Sequence, residues 1–348
     1  MTLWYEQAVA APAADWQSKA EAYQLTLTKP PGALGRLEEV ATRFSAYQNT
    51  LKPELARIEV AVMAADHGIA NEGVSAFPQA VTGEMIKNFA SGGAAISVLA
   101  RHMGAHLTVY NLGSVQPLPE INSVVDCRIA AGTANFAVSA AMTDAQLDTA
   151  LNIGRTAIDG AVERRAQLFI GGEMGIANTS SAACLCARLM GCGVTELTGP
   201  GTGLDDDGVG QKARILETAM AFHSEVSEPR DVLRVFGGFE IAALAGAFIA
   251  AAQAGIPVLV DGYIASAAAL VAVRMNPTIT PWLLASHRSA EPAHHRMLEA
   301  LVLEPLVELS MRLGEGSGAA VTVPLIQSAC RLQSEMASFA EAGVSEKL

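Results

Sequence analysis

Short apolar runs that end at glycine or a small polar residue recur along the chain, and each is followed by an Ala-rich stretch of helical composition. Val60 to Ala65 leads into Asp66-His67-Gly68, and Leu168 to Ile170 leads into Gly171-Gly172-Glu173. Pro257 to Val260 leads into Asp261-Gly262, and Trp282 to Ala285 leads into Ser286-His287. This alternation is the pattern of strand-helix units in a parallel sheet. It predicts a three-layer α/β/α fold with a mostly parallel, Rossmann-like sheet. In open sheets of this kind ligands bind beyond the carboxyl ends of the strands, so the polar loops should gather around one crevice.

The ends of the chain differ from its middle. Trp16 to Leu51 and Glu291 to Leu348 carry much of the charge and read largely as helices, with Pro30-Pro31-Gly32 interrupting the first. The expected organisation is an α/β core over residues 52–290 and a small helical subdomain assembled from 1–51 with 291–348. At 348 residues the chain is long enough for both. Lys and Arg total 23 against 35 Asp and Glu, a formal charge of -12 that repels nucleic acid and acidic membrane surfaces. An anionic small molecule is still compatible, because clustered backbone N–H groups or one Lys outweigh the net field at close range. Met1 to Ala10 has no basic residues ahead of an apolar run, so it does not read as a signal peptide, and a cytoplasmic protein is expected. Ile241 to Val260 is free of charge over 20 residues, but Gln253, Gly255 and Pro257 interrupt it. A buried helix followed by a buried strand fits it better than a membrane span. Ala-rich helix surfaces permit close packing and are compatible with a homo-oligomer, here expected to be a homodimer. The five cysteines lack zinc-site spacing and read as reduced thiols.

Four stretches have the composition of ligand-binding loops. In Leu313-Gly314-Glu315-Gly316-Ser317-Gly318-Ala319, glycines at alternate positions permit tight curvature and close approach to a ligand, and one carboxylate projects from among them. Glu315 is therefore the candidate catalytic base. A solvated turn is the alternative. A dinucleotide fingerprint through Gly314, Gly316 and Ala319 is a further rival, weakened because Val307 to Leu313 reads as helix rather than strand. In Gly171 to Ser180, free N–H groups at a helix start suit a phosphate or ribose, while Asn178, Thr179 and Ser180 are equally good N-caps. In Thr198-Gly199-Pro200-Gly201-Thr202-Gly203, followed by Asp205-Asp206-Asp207 and Lys212, the glycines can form an anion nest, and the acidic run is most simply dipole-compensating. Around Phe77 and a helix spanning Thr82 to Leu99, Met85 and Phe89 fall on one face and can line an apolar slot for a flat ligand; ordinary core packing accounts for them as well. His67, His287, His294 and His295 have no metal-site spacing and read as capping or core histidines, so no metal is expected.

Taken together, these loops carry a family resemblance. Lys29-Pro30-Pro31-Gly32-Ala33-Leu34-Gly35-Arg36-Leu37, Ala65-Asp66-His67-Gly68, Gly92-Gly93-Ala94-Ala95-Ile96, Gly171-Gly172-Glu173-Met174-Gly175, Thr198 to Gly203, Ser286-His287-Arg288-Ser289-Ala290-Glu291 and Leu313-Gly314-Glu315-Gly316 follow one another in order across essentially the whole chain. In this the sequence resembles the nicotinate-nucleotide:5,6-dimethylbenzimidazole phosphoribosyltransferases, which make the lower-ligand nucleotide of cobalamin. The resemblance implies transfer of phosphoribose from nicotinate mononucleotide to dimethylbenzimidazole or a related base, giving α-ribazole 5'-phosphate and nicotinate with inversion at C1'. It implies no cofactor.

Carried over by position, Glu315 would be the general base and Glu173 a carboxyl with a supporting or ribose-contacting role. Phe77, Met85, Met174 and Leu313 would line the base slot; at Phe77 and Met85 some relatives carry smaller or polar residues, which bears on the base preferred. Lys212 would serve the phosphate, with Gly175, Gly201, Asp261, Ser289 and Gly314 also around phosphate and ribose. A preformed mononucleotide donor fits Val258-Leu259-Val260-Asp261-Gly262, which has one acid and lacks the Thr-Gly-x-Thr loop typical of enzymes using the pyrophosphorylated sugar. Two other classes stand beside this one: a nucleotide-binding relative without transferase activity, and a dinucleotide-dependent oxidoreductase.

Overall fold

The computed structural model describes residues 3–345. Among them seven strands, β1 (Ile58–Ala65), β2 (His106–Gly113), β3 (Val124–Asp126), β4 (Leu168–Met174), β5 (Val258–Val260), β6 (Leu283–Arg288) and β7 (Pro305–Glu308), form one sheet. Every pairing is parallel, in the order β3-β2-β1-β4-β5-β6-β7. The helices are α1 (Ala14–Gln24), α2 (Arg36–Gln48), α3 (Ala80–Ser91), α4 (Ala95–Met103), α5 (Asp144–Glu163), α6 (Asn178–Met190) and α7 (Asp206–Phe222). After them come α8 (Pro229–Phe236), α9 (Phe239–Gln253), α10 (Tyr263–Met275), α11 (His294–Leu301), α12 (Ser317–Glu335) and α13 (Phe339–Ala342).

The chain winds outward from β1 through β2 to β3, then returns to lay β4 against the other side of β1. From β4 it winds outward again to β7. Such a reversal splays the connections apart beyond the strand ends and opens a crevice there. β1 is buried along its whole length, as its nearly continuous apolar sequence requires of a strand covered on both faces. Its one acid, Glu59, is paired with Arg164 and lies 2.8 Å from His106 Nδ1.

Two adjacent glycines in β4 fix the layers. Successive strand residues point to opposite faces. A Cβ on Gly171 would strike Leu244 and Phe248 of α9, whereas one on Gly172 would strike the backbone of Glu315. Helix α9 therefore covers one face, and the loop entering α12 lies on the other. The charge-free run Ile241 to Val260 is α9, buried on all sides, followed by buried β5. Among the described residues no helix is long and apolar enough to cross a membrane.

Three local expectations are corrected. Gly171-Gly172-Glu173 is not a loop beyond the strand: β4 continues to Met174, paired with β1 as far as Ala64. The single helix from Thr82 to Leu99 is two, because the chain turns at Gly92, whose φ of 84° is left-handed. Val307 to Leu313 is not helical, since Val307 and Glu308 pair with β6 and residues 309–313 run on irregularly. Pro305 tolerates this position because β7 is an edge strand.

Helices α1 and α2 pack together and α2 packs on α12. Gln24 bonds Gln333 at 2.9 Å, Gln333 bonds Ser45 at 2.5 Å, and Leu27 bridges Ser338. We propose that α1, α2, α12 and α13 make up the terminal helical subdomain. The segment 291–348, assigned wholly to it from sequence, also supplies β7 to the sheet. Residues 1, 2 and 346–348 of that assignment lie outside the described residues.

Helix α5 packs on α9 through glycine on both sides: Gly154 abuts the Ala243 carbonyl and Gly246 the Leu151 carbonyl. A Gly154→Ala substitution gains roughly 1 kcal/mol of helix propensity. It must also push two backbones apart, an overpacking cost of about 1–3 kcal/mol. A net loss of stability is expected, read as a lower urea midpoint at unchanged m-value. A midpoint at or above that of the parent would refute the close-packed contact.

Candidate active site

A cleft of about 310 Å³ opens at the carboxyl ends of β4, β5 and β6. Strand β4 and the turn into α6 bring Glu173, Met174, Gly175, Asn178 and Thr179. The end of β5 brings Asp261 and Gly262, and β6 with its following loop brings His287, Ser289 and Glu291. Arg312, Leu313 and Gly314 close one side, and Phe77, Gly201 and Thr202 stand at the rim. Residues far apart in sequence thus meet where the strand order predicts a ligand.

Glu173 is buried in the wall, and Asn178 Nδ2 donates to its Oε2. Its other oxygen lies over Gly314, where any side chain would collide with it. Burial, then the negative charges of Glu240 and Asp261, push this carboxyl up from the ordinary 4.5 to about 8, against the opposing Asn178 bond. At neutral pH Glu173 therefore carries a proton, which makes it a hydrogen-bond donor facing the cleft. Asn178 is committed to Glu173, and the residue preceding α6 is Ala177, left-handed at φ 74° and without a side-chain cap. The N-cap reading of Asn178-Thr179-Ser180 gives way to a site role for Asn178 and Thr179.

Glu315 lies in three consecutive left-handed residues, with φ of 86° at Gly314, 65° at Glu315 and 84° at Gly316. For a residue with a side chain this conformation is uncommon and costs energy that the surroundings must supply. Glu315 Oε2 accepts from the Ile96 amide at 3.3 Å, at the N-terminus of α4, where the helix dipole favours a carboxylate. Burial raises its pKa and the Ile96 amide opposes the rise. The side chain is buried behind the cleft wall formed by its neighbour Gly314.

Asp261 Oδ1 accepts from the Ala319 amide at 2.7 Å, fastening the first turn of α12 to the end of β5. This bond bears on the dinucleotide rival. The strand before the Gly314-Gly316-Ala319 pattern does exist, contrary to the sequence reading, but β7 stops at Glu308. The opening of α12 is already occupied by Asp261, and Gly316 packs against Ile170 and Gly172. No helix N-terminus is free there for a pyrophosphate.

Lys212 is buried, with Nζ 2.7 Å from Thr179 Oγ1 and 3.3 Å from the Gly199 carbonyl. Burial lowers its pKa to about 8, against the raising charge of Glu291. It stands behind Thr179 and Gly201, two residues that line the cleft, and places positive charge beneath them. Arg312 is the exposed cation of the cleft, near the Gly201 carbonyl at 3.5 Å. Asp205 caps α7 by accepting from the Gly208 amide at 2.9 Å, so the acidic run has the helix-start role. Phe77 is half exposed at the rim; Met85 packs on the core outside the cleft-lining set, and Phe89 is core.

His67 bonds Glu240 and Ser181, and His294 bonds Ser266 and the Ser289 amide. Burial lowers His294 to about 3, leaving it neutral. His287, Asn178, Thr179, Glu291 and Arg312 were not singled out for the site from sequence. Each lies within a few residues of a motif that was, so position after a strand or glycine loop was the available signal.

The parallel sheet and the cleft at the carboxyl ends of its strands define an α/β enzyme that binds a small ligand there. A family model described as phosphoribosyltransferase matches residues 9–344. A protein of Xanthomonas campestris pv. campestris (strain B100), named nicotinate-nucleotide--dimethylbenzimidazole phosphoribosyltransferase, is 55% identical over 343 residues, 99% of each chain. One of the same name from Pseudomonas putida (strain W619) is 53% identical over 330 residues, 94% of each chain. The crystal structure of the Thermus thermophilus enzyme of that name is 41% identical with a TM-score of 0.91, covering 96% of this chain and 100% of that one. The chain belongs to this phosphoribosyltransferase family.

Because Glu173 has its folded pKa raised, the stability it contributes is full below the ordinary 4.5 and is lost as pH rises through about 8. The urea midpoint of the wild type should fall between about pH 5 and pH 8 relative to that of Glu173→Gln, which has no proton to lose, and level off above. Parallel midpoints over this window would show that Glu173 is ionised already at neutral pH.

Proposed function

We propose that the chain transfers phosphoribose from nicotinate mononucleotide to 5,6-dimethylbenzimidazole or a related base, releasing nicotinate and forming α-ribazole 5'-phosphate with inversion at C1'. The observation that carries this reading is the convergence in one cleft of Glu173, Met174, Gly175, Asp261, Ser289 and Gly314, in a chain whose full-length relatives bear that enzyme name. A neutral benzimidazole attacks C1' through its bare nitrogen as the bond from C1' to the nicotinate nitrogen breaks. Its second nitrogen then carries a proton that grows acidic as positive charge develops, and Glu315 accepts it. A carboxylate suffices, because acceptance is needed only as bonding advances. The acceptor's N–H must come up to the Glu315 oxygen not bound to Ile96.

In this reading Glu173, protonated at neutral pH, donates a hydrogen bond to the ribose. The turn at Gly175, the Gly201 loop and Ser289 surround the phosphate, with the charge of Lys212 behind them. Met174 and Leu313 flank the base, with Phe77 at the mouth; Met85 would join them only if the acceptor displaced it toward the slot. The active form is read as a cytoplasmic homodimer.

Purified protein mixed with nicotinate mononucleotide and dimethylbenzimidazole should release nicotinate and α-ribazole 5'-phosphate. Tight nucleotide binding without turnover across several benzimidazoles would instead favour a binding protein. Glu315→Gln should lower kcat by about 10²-fold or more while calorimetric nucleotide binding survives. If Glu173→Gln abolishes turnover and Glu315→Gln does not, the base is Glu173.

A further inference from the structure

A buried pair that no part of the proposed chemistry uses lies directly under the cleft floor. His67, just beyond β1, and Glu240, in the first turn of α9, are both 0% exposed. His67 Nε2 and Glu240 Oε1 are 2.5 Å apart, and Ser181 Oγ holds the other ring nitrogen at 2.9 Å. Two glycines make room for them. A Cβ on Gly175, in the cleft lining, would lie 3.1 Å from Glu240 Oε1 and 3.2 Å from His67 Nε2, and one on Gly238 would strike the His67 ring. Glu240 Oε2 accepts no hydrogen bond from the protein.

Core packing does not account for this arrangement. Removing a carboxyl and an imidazole from water is costly unless their interaction repays it, and apolar residues of the same volume would commonly be as stable. The pair nonetheless sits where its charge reaches the site.

We propose that Glu240, clamped by His67 beneath Gly175, is a positioning residue for the reaction: it fixes the cleft floor and acts electrostatically on Glu173. The inference rests on the reading above in which Glu173 serves as a proton-bearing donor. Glu240 is the largest charge acting on Glu173; Asp261 beyond β5 and Glu315 in the α12 approach add to it, and Asn178 of α6 opposes them. Facing Glu240 itself are His67 and, beside it, Asp66, whose pKa is raised by burial and further by Glu240.

Glu240→Gln keeps the shape and removes the charge. The infrared band of the protonated carboxyl that disappears in Glu173→Gln should titrate at lower pH in Glu240→Gln than in wild type, by on the order of one pH unit. The alkaline limb of the kcat profile should move down with it, and Glu240→Asp, which retains the charge, should restore both toward wild type. A band midpoint that stays put in a cooperatively folding Glu240→Gln protein overturns the inference. A midpoint that moves while the kcat profile does not shows that Glu240 acts on Glu173 but overturns its role in the reaction, and it removes Glu173 from its assigned role in turnover.

A second measurement needs no Glu240 variant. Coupling between two sites is reciprocal, so the side-chain carboxyl carbon signal of Glu240 in isotope-labelled wild-type protein should inflect where Glu173 titrates and lose that inflection in Glu173→Gln. A featureless Glu240 signal across that range overturns the inference even if Glu240→Gln does not fold.

Discussion

Everything at the catalytic end of the sheet depends on the contact between the backbone of β4 at Gly172 and the backbone of the loop at Glu315. No side chain separates them, and none could. This contact sets how close the entrance of α12 comes to the sheet and therefore where Gly314 stands relative to Glu173. It also explains why Glu315 tolerates a left-handed backbone. Gly316 packs on Ile170 and Gly172, Ser317 Oγ bonds the Gly314 carbonyl at 2.7 Å, and Asp261 holds Ala319. A turn fixed from three sides can hold one residue in a conformation it would not adopt alone.

Around that frame four buried carboxyls meet different kinds of partner. Asp261 is met by the Ala319 amide, Glu315 by Ile96 at the start of α4, and Glu240 by His67. Glu173 has only the Asn178 amide, and burial with the charges of Glu240 and Asp261 leaves it protonated. The contrast follows from the dipole direction: helix N-termini supply oriented N–H groups to the first two, while Glu173 projects from a strand that has none to offer. Cationic charge is kept behind the wall at Lys212 and exposed at Arg312. In an acidic chain these two residues place positive charge at the cleft.

The sequence made the strand ends legible because a buried parallel strand is an apolar run that stops abruptly, and Val60 to Ala65 and Pro257 to Val260 do so. It concealed β7, four residues at an edge whose strand character comes from pairing with β6. The division between α3 and α4 was written in Gly92-Gly93 but masked by good helix formers on either side. At the site, Glu173 and Glu315 stood out as acids among glycines. The state of Glu173 did not, because the charges that raise it come from α9 and β5, and burial is a property of the assembled fold. Asn178 was indistinguishable from an N-cap until its partner was known.

The order in which the chain supplies these parts has a consequence for biosynthesis. The first strands of the sheet, with α3 and α4, are complete well before α12 exists, and α12 packs on α4, β4, β6 and α2 at once. A nascent chain that has emerged only through β6 would have Gly172 uncovered and the part of its sheet beneath α12 open to water. Such exposed surface invites association with other chains or with chaperones. The cleft is thus closed late in synthesis, when the docking of α12 brings the loop before it into place.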